Sequence, residues 1–219
     1  MRSVTNKNVV RSDLISYLLK NSRGSVLYID TERSFSSRRM KQILDSNGLP
    51  QNLLDRIIVK SVWDSIPFMD LLHHQIVSSK MNLDLIIIDS IAAPFRSEFE
   101  TFDVDKRRER VKQIHKLGII LHKLSRFLDI PIIVTNQVTA VMDQLHENFG
   151  RPVLPCFGLN WASYVHTRLF LSRTDLILKN NSKVEQRLRK AEVDFSPVIP
   201  NNIVHFIVDD RGIHGVDIK

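Results

Sequence analysis

Three apolar runs in this chain end in side chains suited to phosphate chemistry. "LDLIIID" delivers Asp89 and is followed by Ser90; "SVLYID" is followed two residues on by Glu32; "PIIVTN" is followed by Gln137. An aspartate at the end of a buried strand can hold magnesium through the ion's water shell. A glutamate there can orient an attacking water, and an amide can sense a terminal phosphate. Polar residues also follow strands simply because loops begin there, and for any one of these positions that reading is equally good. Three on separate strands favour phosphate chemistry, because in open α/β sheets ligands bind beyond the carboxyl ends of the strands.

A second set of residues is cationic. Arg96 ends "APFR"; Lys106, Arg107, Arg108 and Arg110 cluster at the start of a long helical pattern; Arg151 lies within "HENFGRPVLPCFG". Such groups neutralise nucleic-acid phosphates without reading sequence. Glu98, Glu100, Asp103 and Asp105 precede the cluster, so a solvated helix face with intrahelical ion pairs is the competing reading. Cations at a helix N-terminus oppose the helix dipole, which argues for a use beyond local stability. Phe149 and Phe157 can stack on bases, although packing suits Phe157 better.

The elements that must position these residues follow from periodicity. "SVLYID", "RIIVK", "LDLIIID" and "PIIVTN" are short, β-branched and apolar on both faces, as strands buried in a parallel sheet are. Between them "SSRRMKQILDSN" and "IPFMDLLHHQIVSSK" read as helices. From about Lys106 to Leu128, Val111, Ile114, Leu117, Leu121, Leu124 and Leu128 recur every three or four residues as one stripe. Strand and helix alternate as βαβ units do. After Asn136 the pattern alternates more: "YVHTRLFLSR", "EQRLRKAEV" and "NNIVHFIVDD" predict antiparallel strands extending the sheet at one edge. No repeat or linker interrupts residues 1–219, which predicts a single domain.

Composition excludes several classes. No window approaches the length of a membrane span, and one cysteine, Cys156, excludes an intramolecular disulfide and a cysteine zinc cluster. His73 and His74 are adjacent and lack partners at metal spacing. The net charge of +7 leans toward a polyanionic partner.

"YIDTE", "LIIIDS" and "TNQV", in that order, resemble the core of the RecA-like recombinases. "IDSIAAPFRSEF", "LGIILHKLSRF" and "FGLNWA" are similar to the eukaryotic paralogues of the strand-exchange recombinase within that family. The resemblance runs from about Gly24 to the C-terminus. It implies a RecA-like ATPase core: a mainly parallel sheet flanked by helices, with antiparallel edge strands at the C-terminal end. Carried over by position, Asp89 corresponds to the Walker B aspartate, Ser90 to its companion hydroxyl and Glu32 to the water-activating glutamate. Gln137 takes the place of the residue that couples the γ-phosphate to two DNA-binding loops. The first loop would follow "APFR" and end near Lys106; the second would run from about Val138 to Phe157. The resemblance further implies ATP and magnesium as cofactors, and single-stranded DNA, other recombinase paralogues and the strand-exchange recombinase as partners. It implies work in the nucleus, with the cytoplasm as the alternative, and the lack of a membrane-length apolar window predicts no membrane partner.

Two departures stand out. No GK[ST] occurs in the 219 residues, although the family's P-loop should precede "YIDTE", and only Gly24 lies before Ile29. The P-loop's amides and lysine supply most of the phosphate grip. The expectation is therefore a chain truncated inside or just after the helix that follows the P-loop, with a divergent member that abandoned nucleotide binding as the alternative. In either case it is inactive as an ATPase by itself. Arg33 also stands where the recombinases commonly carry glycine. Two other classes compete: an interaction module that hydrolyses nothing, and an unrelated P-loop-like enzyme of small-molecule phosphoryl transfer.

Overall fold

The computed structural model describes residue 13 and residues 15–16, 19–95, 104–140, 153–179 and 185–217. In chain order its elements begin β1 (Ser25–Asp30), α1 (Ser37–Ser46), β2 (Ile57–Ser61) and α2 (Ser65–Asp70), which continues through a π turn at Leu71–Gln75 to Ile76–Ser78. Then come β3 (Leu83–Asp89), α3 (Val104–Leu128), β4 (Ile132–Thr135), β5 (Val138–Ala140), β6 (Val153–Pro155) and α4 (Gly158–Ala162). Four long or medium strands close the chain: β7 (Arg168–Lys179), β8 (Glu185–Phe195), β9 (Ile203–Asp209) and β10 (Gly212–Val216).

These fall into two compact units. One comprises Leu18–Phe35 and Asn52–Tyr164. Its centre is a parallel sheet of order β2-β1-β3-β4. β1 and β3 are inner strands, and their Val26, Leu27, Ile29, Leu85, Ile86, Ile87 and Ile88 are fully buried. Each such side chain contributes about 1.5–3 kcal/mol by leaving water. β2 and β4 are apolar in sequence too, yet they are only half-buried or exposed, since among the described residues each has a strand neighbour on one side alone. The expectation of burial on both faces thus holds for the inner pair and fails at the edges. α3 buries Ile114, Leu117, Leu121 and Leu124 of the anticipated stripe, with Val111 and Leu128 half-buried at its ends. Arg56 closes the foot of this unit, donating to the carbonyls of Leu19 at 2.9 Å, Ser22 at 2.9 Å and Gly24.

The other unit comprises Met1–Tyr17, Ser36–Gln51 and Val165–Lys219. Its C-terminal strands are antiparallel as expected, and they pair as a sheet of their own in the order β10-β9-β8-β7. α1 starts on a Ser36 cap whose hydroxyl accepts from the Arg39 amide at 3.2 Å. It is pinned to the β9–β10 turn: Arg39 donates to the Asp209 carbonyl at 2.6 Å, and Asn47 to the Arg211 carbonyl at 2.8 Å.

Candidate functional site

The carboxyl ends of β1, β3 and β4 lie side by side, because Asp30 pairs in register with Asp89 and Asp89 with Thr135. Asp89 is 1% exposed, so its carboxylate must be satisfied within the protein. One oxygen accepts from Thr135 Oγ1 at 2.7 Å; the other accepts from the Tyr28 hydroxyl at 2.7 Å and Ser34 Oγ at 2.5 Å. Hydrogen bonds to a charged acceptor are the strong ones, roughly 1.5–3 kcal/mol each. Sequence reasoning missed Tyr28, Ser34 and Thr135. Thr135 was the findable one, at the end of a strand in step with Asp89.

Ser90, joined to Asp89 by a cis peptide, is held by Thr31. The Thr31 hydroxyl donates to the Ser90 carbonyl at 2.8 Å and accepts from the Ser90 amide at 2.6 Å. The Ser90 hydroxyl is thereby aimed at Glu32, donating to Oε1 at 3.0 Å. Gln137 Nε2 donates to the same oxygen. Three of the four residues singled out from the sequence therefore meet at one carboxylate oxygen, and the fourth, Asp89, is the residue before Ser90.

The turn that carries Glu32 is shaped by Asp30. Its carboxylate accepts from the backbone amides of Glu32 at 3.2 Å, Ser34 at 3.0 Å and Phe35 at 3.2 Å. Arg33 sits inside that turn at φ 53°, in the left-handed region that glycine adopts freely. Its guanidinium lies 4.5 Å from the Trp63 ring centroid, a cation–π contact that offsets part of the backbone cost.

Gln137 also begins a hairpin. Its carbonyl accepts from the Cys156 amide at 2.8 Å, Asn136 donates to the Cys156 carbonyl at 2.8 Å, and β5 pairs with β6. The hairpin is the stem of the second loop inferred from the sequence. At its exit Phe157 is buried, with its ring against Phe95 at 5.8 Å and Trp161 at 6.0 Å. Phe157 is a packing residue in this structure, as is Trp161.

The cationic residues are less gathered. Arg96, Arg151 and Phe149 lie outside the described residues, as do most of both loops. Lys106 and Arg107 fall in the first turn of α3, with side chains outside the described set. Arg108 is exposed and 3.6 Å from Asp105, three residues earlier, which is the intrahelical ion pair that competed with a phosphate contact. Such a pair is worth about 0.3–0.5 kcal/mol, too little to hold the arginine against a phosphate. Arg110 is half-buried.

Magnesium takes oxygen ligands and keeps several waters. The carboxylates of Asp89 and Glu32, with the hydroxyls of Ser90 and Thr135, are donors of that kind. Among the described residues no cluster of three or more His, Cys, Asp and Glu forms an all-protein metal cage. A nucleotide's phosphates need a glycine-rich cradle and its lysine, and these 219 residues contain no GK[ST]. The described residues fit the magnesium side of a nucleotide site, and the sequence lacks the GK[ST] of its phosphate side.

A parallel α/β core with an acid, a hydroxyl and an amide converging at its strand ends defines a protein of the RecA-like class. The Rad51 family pattern matches residues 9–216, and the chain belongs to that family. It is 30% identical to the DNA repair protein XRCC3 homolog of Arabidopsis thaliana over 88% of its own length and 75% of the plant protein. It is 26% identical to DNA repair protein XRCC3 of Mus musculus, again over 88% of this chain, and spans 60% of that protein. In fold it is similar to the crystal structure of the RadB recombinase, with TM-score 0.73 and 21% identity over 97% of this chain and 87% of that one. The chain is thus a RecA-like, XRCC3-related recombinase paralogue, and an unrelated phosphoryl-transfer enzyme is set aside. Among the described residues no helix is long and apolar enough to cross a membrane.

Proposed function

We propose that this chain serves DNA repair by homologous recombination as one RecA-like core. In this reading it binds single-stranded DNA and assists a recombinase filament, alongside other paralogues and the strand-exchange recombinase, in the nucleus. The observation that carries the reading is the double engagement of Gln137. Its side chain is on Glu32, while its main chain anchors the hairpin at the base of the second loop. A group sensed at the acid rim can therefore bias the loop through a single residue.

The absence of GK[ST] favours a non-hydrolysing mode for these 219 residues, with Asp89, Ser90, Glu32 and Gln137 as the part of a nucleotide site that remains. Arg96, Lys106, Arg107, Arg108, Arg110 and Arg151 are the proposed phosphate contacts. The test is binding to fluorescent oligo(dT) across about 50 to 200 mM salt. Affinity should fall steeply over that range. Changing Arg96 and Arg108 together to Ala should flatten the log–log salt slope by about 1.4, at roughly 0.7 per lost single-strand contact. Affinity that ignores salt refutes the reading.

A further inference from the structure

The sheet of β7 to β10 has two faces of different charge character. Register places Phe170 opposite Glu192 and Ser172 opposite Lys190 on one face, with Leu169 opposite Val193, Leu171 opposite Ala191 and Arg173 opposite Arg189 on the other. The first face is internally balanced: Lys190 meets Glu192 at 3.5 Å, and His214 meets Asp209 at 3.0 Å. The second face is not. Arg173 and Arg189 are like charges set directly opposite each other, an arrangement that costs stability. Alternation along β8 adds Arg187 to the same face, opposite Ile177. At the hairpin end Glu185 pairs in register with Lys179. Asp175 sits in the β-bulge between these pairs. Arg189 Nη1 is sealed from solvent without an acceptor among the described residues. Burial lowers the Arg189 pKa, with Arg173 adding to the effect.

The same face leaves aliphatic side chains in water. Leu169 is 56% and Val204 58% exposed, and Ile177 is exposed too. A phosphate backbone has no use for aliphatic ground between its cations, whereas a segment alternating carboxylates with apolar side chains covers both. We propose that this face of the C-terminal sheet is a docking surface for an acidic, aliphatic-rich peptide segment of a partner protein, whose carboxylates bridge Arg173 and Arg189. Arginine is suited to that task because its planar fork receives a carboxylate in two places. The proposal rests on neither nucleotide nor DNA binding by the rim and loops.

The test uses the purified chain and a labelled synthetic peptide alternating glutamate and leucine, read by fluorescence anisotropy. A glutamine-for-glutamate peptide and oligo(dT) are run beside it. Binding of the acidic peptide should weaken roughly tenfold or more in Arg173→Ala and in Arg187→Ala. Arg173→Ala should at the same time raise the thermal midpoint, since it removes the facing like charge. A residue present only to hold the sheet together would move both readings down. The proposal is overturned by equal binding of the glutamine peptide, by peptide affinity indifferent to Arg173, or by oligo(dT) binding that depends on Arg173.

Discussion

At the scale of single residues, what distinguishes the buried acids is whether each has donors. Asp89 and Asp30 are buried, but three side-chain hydroxyls serve the first and three backbone amides the second. Asp13 is the contrast. Its Oδ2 is buried without a partner among the described residues, and Gly212 is so close that a Cβ there would lie 2.0 Å from Oδ1. Burial pushes the Asp13 pKa up to about 6, against smaller opposing effects from the Ile213 amide, Arg39 and His214. The folded chain therefore binds this proton more tightly than the unfolded chain does. The charge-burial cost is absent below about pH 4, develops as pH rises toward 6 and stays above it. The full conversion is about 3 kcal/mol, and partial exposure of the group screens it to about 1 kcal/mol. Asp13→Asn should accordingly be more stable than the parent at neutral pH by about that amount, with the gain vanishing near pH 4. Urea unfolding of both proteins across that range measures it; a gain that does not change with pH would show that the charge is not the cause.

At the scale of elements, α3 carries a glycine that helix propensity argues against, and the reason lies on another segment. The Tyr164 ring rests on Gly118, where a Cβ would stand 2.3 Å from the ring's Cγ. His115 and His122 flank the same spot: His115 Nδ1 meets the Tyr164 hydroxyl, and His122 Nε2 donates to the Tyr164 carbonyl at 2.8 Å. This clasp ties α3 to the segment after α4, beyond the hairpin that starts at Gln137. Gly118→Ala would gain about 1 kcal/mol of helix propensity but must displace the ring at a cost of about 1–3 kcal/mol. The clash wins on most of that range, so the thermal midpoint should drop, and a rise would refute the clasp. The clasp was invisible in sequence because residues 118 and 164 meet only in the fold. By contrast, β1 and β3 were legible to the residue, since unbroken apolar runs ending in a carboxylate have few other readings. The convergence of Glu32, Ser90 and Gln137 was legible for the same reason: strand ends collect at one rim. What positions them was not, because Tyr28, Ser34, Thr31 and Thr135 are hydroxyl residues that suit a strand or turn anywhere. Which strands lie at the edges is likewise a property of sheet order, which local pattern does not encode.

For the whole molecule, the question is whether a rim without a cradle is an enzyme. Phosphoryl transfer depends almost wholly on positioning and on stabilising charge at the transferring group. Glu32 is held by Ser90 and Gln137, and Asp89 by three hydroxyls, so the groups to which the proposed reading gives the water and the magnesium are pre-set. No GK[ST] occurs in the 219 residues, so the motif that carries a P-loop's amides and lysine is not among them. Losing even one donor of a pre-set charge-stabilising site costs roughly 10²–10³-fold in rate, and the sequence lacks the motif of the whole cradle. The purified chain should therefore show no ATP turnover above background, with or without oligo(dT). A version carrying a P-loop helix fused ahead of β1 should bind nucleotide, and Asp89→Asn in that version should weaken the magnesium-dependent part of the binding. The informative comparison is ATP hydrolysis by the 219-residue chain beside its Glu32→Gln variant. Equal, background-level rates are expected, because a water-orienting carboxylate has nothing to act on when the phosphates are not held. Robust turnover by the parent that Glu32→Gln abolishes would mean that this chain grips phosphate by other residues, and that the rim is catalytic as it stands.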